Sequence, residues 1–328
     1  MSIKILIICF AYILLGFYSP PLFSEIPAST NKSQAKEKNI IVISDTQSPL
    51  WVEELFLTST NNEEAREHLF KNILNSHPDA VFHLGDLVSL GYSDDSWLAI
   101  DSLLIQLRNF QIPFYPTLGN HELLIFPETG EQNFTSRFPF YSKTGYMKQI
   151  GPISFILLNS NLSDLSDEEI IIQQEWFEKQ LAHSDPDSSV KAIIVGCHHP
   201  PFTNSKIVNP DEDVQQYFLP AFVKSKKSVL FLSGHSHSFE HFNRSGKDFL
   251  TIGGGGGLHH PLYPKGKSLY KDIIQTDDSK RNFHYLQVSI YETGFDIRVQ
   301  MLSPDFSEIG TVYEINYNYF DTYLVETK

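Results

Sequence analysis

Short apolar runs, rich in β-branched residues, recur along the chain, and each stops at a cluster of Asp, Asn, His and Gly. Ile40 to Ser44 runs into Asp45, Ala80 to Leu84 into Gly85 and Asp86, and Phe114 to Leu118 into Gly119, Asn120 and His121. Ala192 to Gly196 leads to Cys197, His198 and His199, and Val229 to Ser233 leads to Gly234, His235, Ser236 and His237. Runs of this kind, bounded by turn formers, predict buried strands. Between them, apolar residues fall at helical spacing: Ala65, Leu69, Phe70, Ile73 and Leu74; Leu98, Leu103, Leu104 and Leu107; Ile171, Ile172, Trp176, Phe177 and Leu181; and Tyr217, Phe218, Phe222 and Val223. Alternation of strand and helix predicts βαβ units with parallel strands, where ligands bind beyond the carboxyl ends. The five polar clusters should therefore share one rim.

The last third reads differently. His284 to Tyr291, Phe295 to Leu302 and Thr311 to Asn318 alternate apolar and polar residues with short turns between them, as antiparallel strands with one solvated face do. The expected fold is α/β, with two mixed β-sheets packed as a sandwich and helices on the outside. It would occupy residues 40–328 as one domain, without internal repeats. Ahead of it, residues 1–24 place Lys4 before an apolar run from Ile5 to Tyr18, followed by Ser19 and two prolines. That run is shorter than the roughly 20 residues a membrane span needs, and the layout is that of a secretory signal peptide. Export to the periplasm or beyond, with no stable membrane anchor after cleavage, is the expectation. Residues 25–39 are polar and aperiodic and read as a disordered leader.

Composition narrows the partners. A formal charge of −14 argues against a long nucleic acid, whose binding would need a basic stripe to displace counterions. A small phosphorylated substrate remains open if metal ions supply local positive charge. Cys9 lies in the apolar leader, which leaves Cys197 alone, so the mature chain should contain no internal disulfide. Nothing in the sequence sets the oligomeric state.

Singly, each polar cluster could be a turn, because Gly, Asn, Asp and Pro are turn formers. Five at equivalent strand ends point to a shared site. Oxygen and imidazole donors mixed in this way suit transition metals such as Mn, Fe, Zn or Ni, and an aspartate between two ions can bridge them. A metallo-β-lactamase-like hydrolase does not fit, since no His-x-His-x-Asp-His stretch is present.

The clusters SDTQ (to Gln47), GDLV (from Gly85), GNHE (from Gly119), CHHPPF (from Cys197) and GHSH (from Gly234) resemble, in order and spacing, the five motifs of the calcineurin-like metallophosphoesterases. That family is related to the purple acid phosphatases and the class III cyclic nucleotide phosphodiesterases. The resemblance implies a metal-dependent phosphoesterase that hydrolyses phosphate mono- or diesters with a hydroxide activated by two divalent or trivalent transition-metal ions, and the signal-peptide pattern makes it an exported one. Carried over residue by residue, it places Asp45, Gln47, Asp86 and His237 on one ion, and Asp86, Asn120, His198 and His235 on the other, with Asp86 bridging. His121 corresponds to the catalytic histidine.

Two departures stand out. The first motif ends in Gln47 where the family usually has His, so a neutral and weaker donor faces that ion. Ser89 stands where purple acid phosphatases have tyrosine, so no iron-tyrosinate site is expected. The alternative to an enzyme is a catalytically silent module of the same fold that binds a phospholigand or a partner; the intact His121 argues against it. Around the motifs, His199 is expected behind the ligands or facing substrate, and Glu122 either orients His121 or is exposed. The glycine run from Gly253 to Gly257 reads as a tight backbone path beside the metals, and His259 and His260 either reach the mouth of the site or, the favoured expectation, belong to a surface loop.

Overall fold

The computed structural model describes residues 37–274 and 282–320, all within the second of the two units, 1–34 and 35–328, into which the chain divides. The signal peptide and most of the leader expected from the sequence lie outside these residues. Among those described, strands numbered along the chain form two six-stranded sheets. The first contains β1 (Lys38–Ile43), β2 (Ala80–His83), β3 (Phe114–Pro116), β10 (His284–Ile290), β11 (Gly294–Leu302) and β12 (Ile309–Asn318), in the order β12-β11-β10-β1-β2-β3. The second contains β4 (Tyr146–Ile150), β5 (Ile153–Leu157), β6 (Ala192–Gly196), β7 (Ser228–Ser233), β8 (Phe239–Arg244) and β9 (Lys247–Ile252), in the order β4-β5-β6-β7-β9-β8. β1, β2 and β3 run parallel, as do β5, β6, β7 and β9, while the remaining neighbours are antiparallel. The α/β sandwich of two mixed sheets expected from the sequence is the architecture found.

Each sheet is covered on both faces, which explains why its central strands read as unbroken apolar runs. On β1, Ile40 and Val42 face the core between the sheets, and Ile41 and Ile43 face the helices. Phe82 of β2 stacks on Phe155 of β5 across the sandwich, with ring centroids 4.4 Å apart. The first sheet is covered by α1 (Asn62–Asn75) and α2 (Asp94–Asn109), and the second by α5 (Asp167–Ser184), α6 (Glu212–Tyr217) and α7 (Leu219–Lys224). Pro116, which cannot donate to a ladder, sits on an edge strand, β3.

The helical faces differ from the expected ones in detail. Leu98, Ile171 and Ile172 are exposed. Leu98 lies five residues before Leu103, roughly 140° around the helix, while Trp97 and Ile100 take the inward positions. On α5 the inward place goes to Gln173, whose amide donates to Asn159 O and accepts from Asn159 N, both at 2.9 Å. The fourth expected helix is two short ones that meet at Phe218. β10 is buried on both faces, unlike the half-solvated strand its alternation suggested.

If the face assignment is right, Phe82→Ala should cost about 3 to 5 kcal/mol in chemical denaturation, because it opens a cavity between the sheets. Leu98→Ala should stay within about 0.5 kcal/mol.

Candidate metal centre

All seven predicted ligands and His121 lie at the carboxyl ends of the parallel strands. Asp45 follows β1, Asp86 follows β2, Asn120 and His121 open the short α3 (Asn120–Leu123) after β3, His198 follows β6, and His235 and His237 follow β7. Asp45, Asp86 and His235 have φ of 58°, 55° and 61°. This left-handed region is uncommon for residues with a Cβ. It turns the chain sharply at the strand exit and aims the side chain inward, which is the kind of local strain that collects at functional sites.

The distances show what these residues bring together. Asp86 Oδ2 lies 3.2 Å from His198 Nε2, which is 3.0 Å from Asn120 Oδ1. Asp45 Oδ1 lies 3.4 Å from His237 Nε2. Donor atoms of Asp45, Asp86 and His198 fall within 4.8 Å of one another, as do those of His198, His199 and His235. His121 Nε2 is 3.9 Å from Asp86 Oδ2 and 3.8 Å from Glu53 Oε1.

Hydrogen-bond accounting tests whether this cluster fits cations. His198 Nδ1 faces Leu84 O at 2.9 Å and His237 Nδ1 faces Leu258 O at 2.7 Å. A carbonyl only accepts, so both Nδ1 atoms donate, which leaves Nε2 of each ring facing carboxylate oxygen, to share a proton with it or to offer its lone pair to a cation. The Gln47 amide is satisfied when its nitrogen donates to the backbone carbonyls of Asp45 at 3.2 Å and Asp86 at 3.0 Å, which leaves the oxygen 3.3 Å from His237 Nε2. The backbone N–H of His235 reaches both oxygens of Asp45 (3.0 and 3.1 Å) and that of His121 reaches Asp86 Oδ1 (2.9 Å), but Asp86 Oδ2, Asn120 Oδ1 and the Nε2 atoms of His198 and His237 still converge with fewer donors than acceptors. Only protons or cations can satisfy them, and the mixed oxygen and imidazole set suits transition metals. Burial opposes a charge on His198, yet Asp86 outweighs it and pushes the imidazole up to about 9. Burial likewise opposes the Asp86 anion, but His198 and His121 hold it well below the usual carboxylate range. His235 is driven well below its ordinary value by burial and by His199 and His198, so its lone pair is available. The residues fit a pair of metal ions.

The supports around the ligands come partly from residues the sequence left undecided. Glu122 does not orient the His121 ring and is not exposed: its Oε2 accepts from the backbone N–H of Asp86 (2.9 Å) and Gly119 (2.7 Å), and its Oε1 from Leu87 (2.7 Å) and Val88 (3.2 Å). It ties the loop carrying Asp86 to the loop carrying Asn120. Burial and the Asp86 charge push its carboxyl up to about 7, against the pull of these N–H groups. Asn62 donates to Gly256 O and Gly257 O, both at 2.8 Å, and fixes the glycine run. A Cβ on Gly257 would stand 2.2 Å from the His237 ring, and one on Gly253 would be 3.1 Å from Asp45 Oδ2. His260 is no surface residue: it is buried and stacks on His237 with centroids 4.3 Å apart. His259 packs on Phe283.

His199 has a defined tautomer. Ser160 Oγ accepts from the backbone N–H of His198 (3.1 Å) and His199 (2.9 Å), so its single hydrogen goes to His199 Nδ1 at 2.9 Å. Neutral His199 therefore carries its proton on Nε2 and is a donor, unlike the ligand histidines. Ser160 escaped the sequence reading because β5 did. Ile153 to Leu157, framed by Gly151-Pro152 and Asn159-Ser160-Asn161, obeys the same rule as the five recognised strands and delivers a sixth polar cluster. The groove of about 870 Å³ lined by Lys224, Ser228, Gly246 and Gly294 contains none of the predicted ligands, and it lies at the amino end of β7, opposite His235.

Residues 38–239 match the family described as calcineurin-like phosphoesterase. No curated protein sequence matches the chain. Among solved structures, the purple acid phosphatase PPD1 from yellow lupin (Lupinus luteus) seeds is similar at 16% identity and a TM-score of 0.61, over 88% of this chain and 55% of that one. The chain thus spans about half the length of the lupin protein. GAP50, the anchor in the inner membrane complex of Plasmodium, is similar at 14% identity and a TM-score of 0.59, over 86% and 89%. A dimetal phosphatase from Danio rerio is similar at 15% identity and 0.52, over 86% and 99%. At such identities the likeness to these structures is one of fold.

Gly257→Ala should displace the His237 ring and lower the affinity for one of two bound metal ions by roughly 10- to 100-fold, the size seen when support around a ligand is lost. Gly310→Ala, where a Cβ meets open space, serves as the control. Unchanged titration of both sites by Mn²⁺ or Zn²⁺ in the Gly257 variant would remove His237 from the ligand set.

Proposed function

The chain belongs to the calcineurin-like phosphoesterase family, metal-dependent hydrolases of phosphoester bonds, and from that premise we propose an exported enzyme that cleaves small phosphate mono- or diesters at a two-metal centre. The observation that carries the reading is the convergence of Asp45, Gln47, Asp86, Asn120, His198, His235 and His237 at one strand-end rim, with fewer donors than acceptors among them. Asp45, Gln47, Asp86 and His237 would hold one ion, and Asp86, Asn120, His198 and His235 the other, with Mn, Fe, Zn and Ni all compatible. When bound, the pair supplies positive charge for the phosphoryl oxygens and acidifies the water that attacks phosphorus.

The protein's own groups do the rest. His121 Nδ1 donates to Ser89 O at 2.9 Å, which fixes the ring and leaves Nε2 beside Asp86, from which the imidazolium form would give its second proton to the departing oxygen and become neutral. His199, held as a donor by Ser160, supplies a neutral N–H for a phosphoryl oxygen. The Asp86 carboxylate, besides bridging, accepts from the backbone N–H of His121 at 2.9 Å and ties acid and ligand together. Ser89 Oγ donates to Ser48 O, and no tyrosine stands at that position, so an iron-tyrosinate site is not proposed. A silent binding module would have no use for a free imidazole nitrogen set beside the bridging carboxylate.

Export is supported by Lys4 and the apolar run from Ile5 to Tyr18, and a periplasmic or secreted location follows from it. The charge of −14 supports a small phosphorylated substrate over a long nucleic acid.

Exhaustive chelation should abolish hydrolysis of an aryl phosphate, and a rate that survives it would sink the proposal. His121→Ala should keep both metals yet lose roughly 10²- to 10⁴-fold in turnover, most for poor leaving groups. Gln47→His should tighten the weaker of the two sites, since imidazole donates more strongly than an amide oxygen. Equal affinities in the native protein, unmoved by that change, would show that Gln47 is not a ligand. Cell fractionation with N-terminal sequencing tests export, and an intact leader in the cytoplasm would refute it.

A further inference from the structure

One loop stands against the nitrogen of His121 that faces the departing group, and a second follows His121 in the chain within five residues; both are apolar where they meet solvent. The first, residues 48–60, carries Glu53, whose Oε1 stands 3.8 Å from His121 Nε2, and around it Trp51, Val52, Leu55 and Phe56. The second continues directly from α3 as Leu124, Ile125 and Phe126. These seven side chains are exposed at 36% to 81%, with Phe56 at 81% and Trp51 at 75%. Ile125 adopts φ 69°. A β-branched residue in that region is a costly conformation, and here it is held on a surface loop with no core to fill.

Large apolar side chains gathered at a site mouth mark a contact surface more often than scattered single ones do. What covers this one is constrained by charge. Neither residues 48–60 nor residues 121–130 contain a single Lys or Arg, whereas Glu53 and Glu54 lie on the first loop. The Arg66 guanidinium that touches the start of the first loop is buried and donates to Thr46 O (3.1 Å) and Ser48 Oγ (2.9 Å), so a leaving group bearing further phosphates would find no cation among the loops' own residues, and an anionic bilayer would be repelled by the two carboxylates and the charge of −14. Whatever leaves must lie beside His121 Nε2, so its organic part meets this rim.

On the phosphoester reading above, we infer that the rim formed by Trp51, Leu55, Phe56, Ile125 and Phe126 is a leaving-group subsite, and that the substrates are phosphate esters of uncharged, apolar alcohols. The apolar part of the ester is covered by the rim while the phosphate enters the metal centre. Hydrolysis releases inorganic phosphate from a monoester, and the alcohol departs with the proton given by His121.

The experiment uses the metal-loaded protein and straight-chain alkyl phosphates from ethyl to decyl, each below its aggregation concentration. Log kcat/KM should rise with length, by about twofold to fourfold per methylene until the rim is filled, the upper value corresponding to full burial of each CH₂. Non-hydrolysable alkyl phosphonates should bind more tightly with length and change Trp51 fluorescence, a signal that Trp51→Phe removes. The Trp51→Ser/Phe56→Ser and Phe126→Ser variants should flatten the series, with ethyl phosphate as the internal reference. A series flat in the native protein overturns the subsite. So does a rise seen only above the aggregation concentration, or rim variants that alter oligomeric state and leave the slope intact. If no ester is hydrolysed with metal bound, the phosphoester reading itself falls, and the rim inference with it.

Discussion

The arrangement of this protein turns on one electrostatic problem: seven polar side chains crowd their acceptor atoms into a single small volume where donors are fewer than acceptors. Buried acceptors that face one another repel and lose their hydration, so such a cluster persists only if the frame around it is rigid and a cation resolves the charge. The frame is visible residue by residue. Carbonyls of Leu84 and Leu258 fix the rings of His198 and His237 from behind, Glu122 gathers four backbone N–H groups from two ligand loops, and Asn62 holds the glycine run against the His237 ring. Three ligand residues or near neighbours of the strand ends are kept at positive φ, a local cost borne by the sandwich beneath.

That sandwich explains why the site sits where it does. Parallel strands deliver their exits to the same edge, and β2 of one sheet meets β5 of the other through the stacked Phe82 and Phe155. Each sheet therefore contributes part of the ligand set. Separating the sheets would separate Asp45 from His237 and Asp86 from His198, so the packing of the inter-sheet core and the affinity for metal are linked.

Much of this was legible in the sequence because the chemistry needs specific residue types at strand ends. The five apolar runs and the clusters after them read correctly, since burial on both faces leaves little room for polar residues along the strand. The misreadings have physical causes. Leu98, Ile171 and Ile172 look like core in a count of apolar residues but lie on the wrong side of a 3.6-residue turn. Gln173 occupies a core position because its amide pairs completely with one backbone residue, which no apolar pattern signals. Glu122 and His260 were ambiguous because each acts on the backbone or on a ring brought near by folding. Ser160 was hidden by a missed strand, although Gly151-Pro152 and Asn159 framed it.

The division between what is fixed and what is free bears on specificity. Ligands, their carbonyl supports and the glycine run are crowded to the point where one added methyl group meets a ring at 2.2 Å, so little there can change without losing the ions. On the loops of residues 48–60 and 124–126 the large apolar side chains are exposed, and the first loop sets the Glu53 carboxylate 3.8 Å from His121 Nε2. Loops of this kind can change the shape and polarity of the mouth at small cost to the core, as binding surfaces on rigid scaffolds generally do. On the proposed reading, a centre that would admit any phosphoester and a rim that would admit only certain alcohols differ because of packing: the metal ligands would set the reaction, and the exposed side chains near His121 would set what is allowed to leave.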